Sequence, residues 1–250
     1  MSIPNPEQIT RVHLQWLKDV GSHTSPNEFR REQLTIKALE GCRRACEILA
    51  QRLKVMGYPV EDVFVPPVDT LDNQLDELEA KIGPVPPVLR LFWQYIGGLQ
   101  FVRLEDYAHV DFWDRLGVYG SREYCDGLYI ERGDADWLEH TYATFEERQE
   151  WDEDERQMFP FTYILAPDGF HKDDISGGSP YGLRPSTSWV AEVEDFQWPK
   201  NTAPISAAQP PDFLSYLRTT ILECAGFPGL YGEPAFEPYR LRLLEGLEIF

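Results

Sequence analysis

Positive charge is scarce in this chain: 23 lysines and arginines stand against 42 aspartates and glutamates, a formal net charge of −19. Such a chain repels phosphate backbones and anionic membranes, so nucleic acid and membrane surfaces are not its expected partners. Long apolar runs are also missing, and no stretch approaches the ~20 residues needed to span a bilayer. The opening residues MSIPNPEQITRVHLQWLKDVG show no basic segment followed by an apolar run, so no secretory signal is expected. Cysteine is sparse, with Cys42 and Cys46 four apart in a helical pattern and Cys125 and Cys224 isolated. That spacing fits neither a zinc site nor a disulfide framework, and it points to core thiols in a reducing cytoplasm. Nucleophile elbows, Walker loops and dinucleotide-binding glycine patterns are likewise not found, so no cofactor is expected.

What the chain does have is material for a core. Hydrophobic residues make up 42% of the 250 and aromatics 13%, including seven tryptophans, enough for one large domain or a domain with an extension.

Apolar periodicity predicts a helix over 7–20, with Ile9, Val12, Trp16 and Val20 on one face. A second helix is expected from a capping box at Ser25-Pro26-Asn27-Glu28, with Leu34, Ala38, Cys42, Ala45, Leu49 and Leu53 inward and a stop at Gly57. A short strand is predicted at 60–65. Thr70 is expected to cap a helix carrying Leu71, Leu75, Leu78 and Ile82, closed by Gly83. Another helix runs from Pro86-Pro87 through Leu89, Phe92, Trp93 and Ile96 to Gly97-Gly98. Strands are expected at 99–104, 127–132, 161–166 and 188–196; residues 105–123 support no assignment. Residues 135–157 form a strongly acidic helix pattern with Leu138, Tyr142 and Phe145 on one side. A late helix begins near Phe213 and buries Phe213, Leu217, Ile221 and Leu222, and the tail 237–250 forms a last short helix or strand. Helices and strands do not alternate as βαβ units, so the expected class is α+β with a mainly antiparallel or mixed sheet packed against helices.

The segment 75–98 carries the most specific pattern. Leu75, Glu79, Ile82 and Gly83 are followed by Pro86, then Leu89, Phe92 and Trp93, then Ile96-Gly97-Gly98. In this run the chain resembles the SUKH superfamily (Smi/Knr-type proteins), in which an apolar-Glu-apolar-Gly turn leads through proline to an amphipathic helix ended by paired glycines. Ile96 stands where the family usually has asparagine. The resemblance implies a SUKH-like α+β domain over 59–250, with residues 1–58 as an N-terminal helical extension packed on its core. The motif residues Glu79, Gly83, Pro86, Trp93, Gly97 and Gly98 are read as structural, the glycines and proline setting the turns and supplying no acid, base or nucleophile.

The resemblance also implies a binding role. Many bacterial members look like immunity proteins that block a cognate toxin, often a nuclease, and fungal relatives are intracellular regulatory interactors. The expected function is therefore a non-catalytic protein-binding module that neutralises a basic toxin domain, as a monomer or weak homodimer. An intracellular regulatory or scaffold role is the alternative. The candidate partner-binding residues are Asp134, Asp136, Trp137, Glu146, Glu147, Glu150, Trp151, Asp152, Glu153, Asp154 and Glu155. Their carboxylates would present phosphate-like charge to a basic cleft, and the tryptophans would anchor it. A merely solvated acidic face is the simpler reading of the same residues. A third class, a metal-dependent hydrolase, would use His109 with Asp106 and Asp111, or His171 with Asp173 and Asp174. A hydrolytic metal needs about three convergent ligands, which acidic loops of this kind rarely supply by spacing alone.

Overall fold

A computed structural model describes residues 2–21, 27–60, 62–69, 71–102, 108–118, 127–151, 161–166, 181–194 and 211–250. Helix α1 (Pro6–Gly21) buries Ile9, His13, Trp16 and Val20, while Val12 is exposed. The inward face thus runs 9, 13, 16, 20, and the expected place of Val12 is taken by a histidine with buried polar partners. Helix α2 (Glu28–Val55) is 28 residues long, about 42 Å at 1.5 Å per residue. Its cap is Asn27, whose side chain accepts from Arg30 N at 3.2 Å, satisfying one of the free N–H groups of the first turn. Ser25 and Pro26, which open the expected capping box, lie outside the described residues. Ala38, Leu39, Cys42, Cys46, Leu49 and Leu53 line the buried side, and α1 packs against it.

The 75–98 pattern builds a turn whose parts are tied together by side chains. Helix α3 (Leu71–Ile82) ends at Gly83, which has φ +108°. Glu79 reaches past that end: its Oε1 accepts from Val85 N at 2.8 Å and its Oε2 from Arg90 Nη1 at 3.4 Å. One carboxylate thus links the end of α3 to helix α4 (Pro87–Tyr95). In α4, Trp93 is fully buried and donates its indole N–H to the Glu131 carbonyl at 3.1 Å. Gly97 then has φ +86°, and a Cβ there would lie 2.1 Å from the Val65 carbonyl oxygen. Only glycine fits both the backbone conformation and the space.

Strands β1 (Phe64–Val65), β2 (Gly98–Gln100) and β3 (Tyr129–Ile130) pair antiparallel, with Leu99 opposite Phe64 on one side and Ile130 on the other. Strands β4 (Tyr163–Ala166), β5 (Tyr181–Leu183) and β6 (Val193–Glu194) form a second antiparallel set. A hydrogen bond from Glu131 N to Leu165 O, at 3.1 Å, joins the two sets. The fold is α+β, as expected, with strands shorter than the apolar runs that predicted them. Helix α5 (Ala108–Arg115) occupies part of the stretch that sequence periodicity left open.

Helix α6 (Ala135–Trp151) follows β3, and α7 (Phe213–Leu222) follows β6. A single 3₁₀ turn (Pro228–Leu230) then leads to α8 (Glu237–Leu244). All ten residues of α7 are buried, because α1, α2 and α4 pack around it. Near the chain's end, Arg52 of α2 donates to the Leu243 and Glu245 carbonyls, the latter at 2.6 Å, holding a strap (246–250) across α2. That strap passes so close to Gly41 that a Cβ there would lie 2.2 Å from Phe250 Cβ. One hydrophobic cluster runs from Ile9 to Leu247, with Trp113 of α5 edge-on to Phe227 and Phe236 at 5.1 and 5.2 Å. Among the described residues, no helix is long and apolar enough to cross a membrane.

Candidate functional site

Helix α6 carries the acidic residues that the sequence singled out. It starts after Asp134, whose Oδ1 accepts from Asp136 N and whose Oδ2 accepts from Arg132 Nη2, both at 3.1 Å. Asp134 is thus a helix cap lying at the positive end of the helix dipole. Leu138 is fully buried, and Trp137, Tyr142 and Phe145 pack half-buried against the core. The rings of Tyr142 and Phe145 meet Phe161 at 5.5 and 5.4 Å, which fastens α6 beside β4.

This anchoring fixes which face remains outside. Asp136, Glu139, Ala143 and Glu146 follow one another at three- and four-residue steps, a single stripe about 15 Å long. His140 and Glu147 are exposed alongside it. Helix α3 forms the other bank, where Lys81 Nζ pairs with Glu139 Oε1 at 3.3 Å. Leu78 and Tyr142 floor the open groove between the helices, whose volume is about 480 Å³. Glu146 accepts a hydrogen bond from the Tyr142 hydroxyl, which raises the phenol above its ordinary pKa. The structure therefore brings Asp136, Glu139 and Glu146 together with Tyr142, and puts Asp134 and Trp137 to structural use. Glu150 and Trp151 belong to the last turn of α6. Their side chains, with Asp152, Glu153, Asp154 and Glu155, lie outside the described residues.

The histidine candidates separate in their described part. His109 is buried in α5 at 1% exposure, whereas Asp111 of the same helix is exposed. Asp106 and the stretch containing His171, Asp173 and Asp174 lie outside the described residues. Among the described residues, no three His, Cys, Asp or Glu side chains converge in a way that could hold a metal.

A buried polar chain escaped sequence reasoning altogether. Asp212 caps α7, with Oδ1 accepting from Leu214 N and Ser215 N at 3.1 Å each. Its Oδ2 lies 2.7 Å from His13 Nε2, and His13 Nδ1 lies 2.7 Å from Arg218 Nη1. A neutral imidazole protonated on Nε2 donates to the aspartate and accepts from the arginine, satisfying both contacts. Arg218 Nε also donates to the Phe250 main-chain oxygen at 2.5 Å, and the guanidinium lies 5.8 Å from the Trp16 ring centroid. Burial pulls the Arg218 pKa down to about 10, opposed by the charge of Asp212, so the side chain remains charged near neutrality. The imidazole's one lone pair is taken by Arg218, so this Asp–His pair offers no free base. Two sequence signals point toward it: the 9, 13, 16, 20 spacing of α1, and an aspartate directly before the apolar run at 213.

Comparison with known proteins returns no match to a family model, to a curated protein or to a solved structure.

Proposed function

We propose that this chain is a non-catalytic, cytoplasmic protein-binding module, an immunity protein of SUKH type that blocks a basic toxin domain through the outer face of α6. The observation that carries the reading is the stripe of Asp136, Glu139 and Glu146 beside the partly apolar groove to α3. Carboxylates one and two helical turns apart offer a basic cleft a row of charges, and the half-buried Tyr142 offers an amphipathic contact at its side. The toxin-blocking part rests on the motif resemblance at 75–98. The cytoplasmic part draws support from Cys42, Cys46 and Cys224, which are buried and unbridged, with the Cys46 and Cys224 thiols raised in pKa by burial.

The test is co-expression with the toxin encoded beside this chain's gene. Growth rescue and co-purification are expected, and loss of both sinks the toxin-blocking reading. Glu139→Lys with Glu146→Lys is expected to slow association by about tenfold or more at low salt and to flatten its salt dependence. Unchanged association kinetics would remove α6 from the interface.

A further inference from the structure

The strap 246–250 is attached more firmly at its start than beyond it. Gly246 has φ +70° and donates its N–H to the Ser2 carbonyl at 2.8 Å. Leu247 N donates to Leu244 O at 3.1 Å, and the Leu247 side chain is buried. Past Leu247, Glu248 is exposed and Ile249 and Phe250 are half-buried, and among the described residues no backbone–backbone hydrogen bond holds them.

Arg218 supplies the polar hold on that outer part. Its Nε donates to the Phe250 main-chain oxygen, and its guanidinium lies 5.9 Å from the Phe250 ring centroid, with Phe250 pressed against Gly41 of α2. The guanidinium is itself oriented by His13, whose Nδ1 accepts from Nη1 at 2.7 Å. It also borders a recess of about 670 Å³ between α1, α2 and the strap, so there is room for it to withdraw.

The contact with His13 exists only while Nδ1 carries a lone pair. An imidazole protonated on both nitrogens is a donor at each, so Nδ1–H would face Nη1–H across 2.7 Å with a positive charge on either side. Arg218, its pKa pulled down by burial to about 10, is charged at neutral and acid pH alike. On the far side of the ring the same proton strengthens the bond to Asp212, because both partners are then ionised. Trp16 stacks on the imidazole at 5.9 Å. The imidazole is thus held from two sides, and the guanidinium is the group free to move. The other charged and titratable groups around the pair are the Cys42 thiol of α2, beside Arg218, and, lining the recess, Asp19, Lys37, Arg44 and Glu248, two of each sign.

We propose that His13 and Arg218 form an acid-sensitive latch: a proton on His13 Nδ1 displaces Arg218 toward the recess, frees Phe250 and lets the strap swing about Gly246. Opening uncovers α2 around Gly41. The experiment is NMR of the full chain from about pH 8 to about pH 5, where histidine ordinarily titrates and carboxylates stay ionised. The signals followed are the His13 ring nitrogens, the Arg218 Nε–H, and the cross-relaxation between the Gly41 α protons and the Phe250 β protons. All are expected to change with one midpoint, the cross-relaxation being lost, while the Trp93 indole N–H bonded to the Glu131 carbonyl keeps its shift. His13→Gln keeps an acceptor and a donor but does not titrate, and it is expected to retain the Gly41–Phe250 contact across the range. A His13 ring that stays neutral throughout overturns the proposal, as does a protonated ring with that contact intact or midpoints that differ. Loss of the contact together with the Trp93 signal means general unfolding and overturns it as well. So does acid loss of the contact in His13→Gln; if that variant does not fold, the wild-type midpoints decide.

Discussion

Helices α6 and α7 both carry ionised side chains, yet they use them in opposite ways. In α6, 17 residues long, Leu138 is fully buried while Asp136, Glu139, Glu146 and Glu147 stand in water. In α7, ten residues long, every position is buried, and Arg218 meets an imidazole and a main-chain oxygen reached from distant parts of the chain. The difference teaches where charge is free to serve a partner. Exposed carboxylates contribute little to folding and remain available, whereas a buried guanidinium is bound into the core it helps to specify.

Breaking the buried side of that comparison carries the largest expected effect. Arg218→Ala strands the His13 Nδ1 and leaves a space in the core, and it is expected to destabilise the fold by about 3–5 kcal/mol. Arg218→Met fills more of that space and is expected to cost clearly less. Urea denaturation of both variants checks this; equal, small losses would mean that the His13–Asp212 pair stands without the arginine.

The next effect tests how α6 is held. Leu138→Ala removes its fully buried anchor and is expected to cost about 2–3 kcal/mol, toward the low end for buried leucine because a helix at the surface can settle inward. Hydrogen exchange then separates local from global loss. Faster exchange confined to α6 fits a helix fastened by Leu138 and the Phe161 ring cluster; uniform acceleration would make α6 part of the central core.

The two helices were legible in sequence to different depths, for physical reasons. The α6 face could be read because its partners, Leu138, Tyr142 and Phe145, repeat with the helix's own period. The turn at 79–98 was legible because Gly83 and Gly97 answer local demands of the backbone. In α7, periodicity found Phe213, Leu217, Ile221 and Leu222, but not the burial of Ser215, Arg218, Thr219 and Thr220. Burial on all sides comes from elements far away in the chain, which no local pattern reports. The choice between Val12 and His13 depended in the same way on Asp212 and Arg218, some two hundred residues downstream. Strands two to four residues long are set by pairing across the sheet, so apolar runs overestimated their length.

On the exposed side, Glu139→Lys with Glu146→Lys is expected to change stability by only about 0.5 kcal/mol, since the Lys81–Glu139 pair that it breaks is open to water. Equilibrium denaturation at two salt concentrations measures it. A loss comparable with that of Arg218→Ala would erase the contrast between the helices and make the α6 stripe a structural feature.

The smallest effect comes from an intermediate case in α8. Glu237 accepts from Arg240 through Nε at 2.7 Å and Nη2 at 2.8 Å, with the arginine mostly covered and the glutamate 45% exposed. The hydrogen bonds from Arg240 hold the Glu237 pKa below its ordinary value, against a smaller opposing effect of burial. A carboxylate with a lowered folded-state pKa lends stability that is fully present above its unfolded pKa, about 4.3, and lost as pH falls through the folded value. Wild type is therefore expected to exceed Glu237→Gln in stability by a small margin at pH 7, with the margin closing as pH drops below about 4. Urea midpoints of the two proteins across that range give the answer, because the other carboxylates titrate alike in both and cancel. A margin that persists at pH 3 would mean that Glu237 supports α8 by packing and not by its charge, which would class it with the residues of α7.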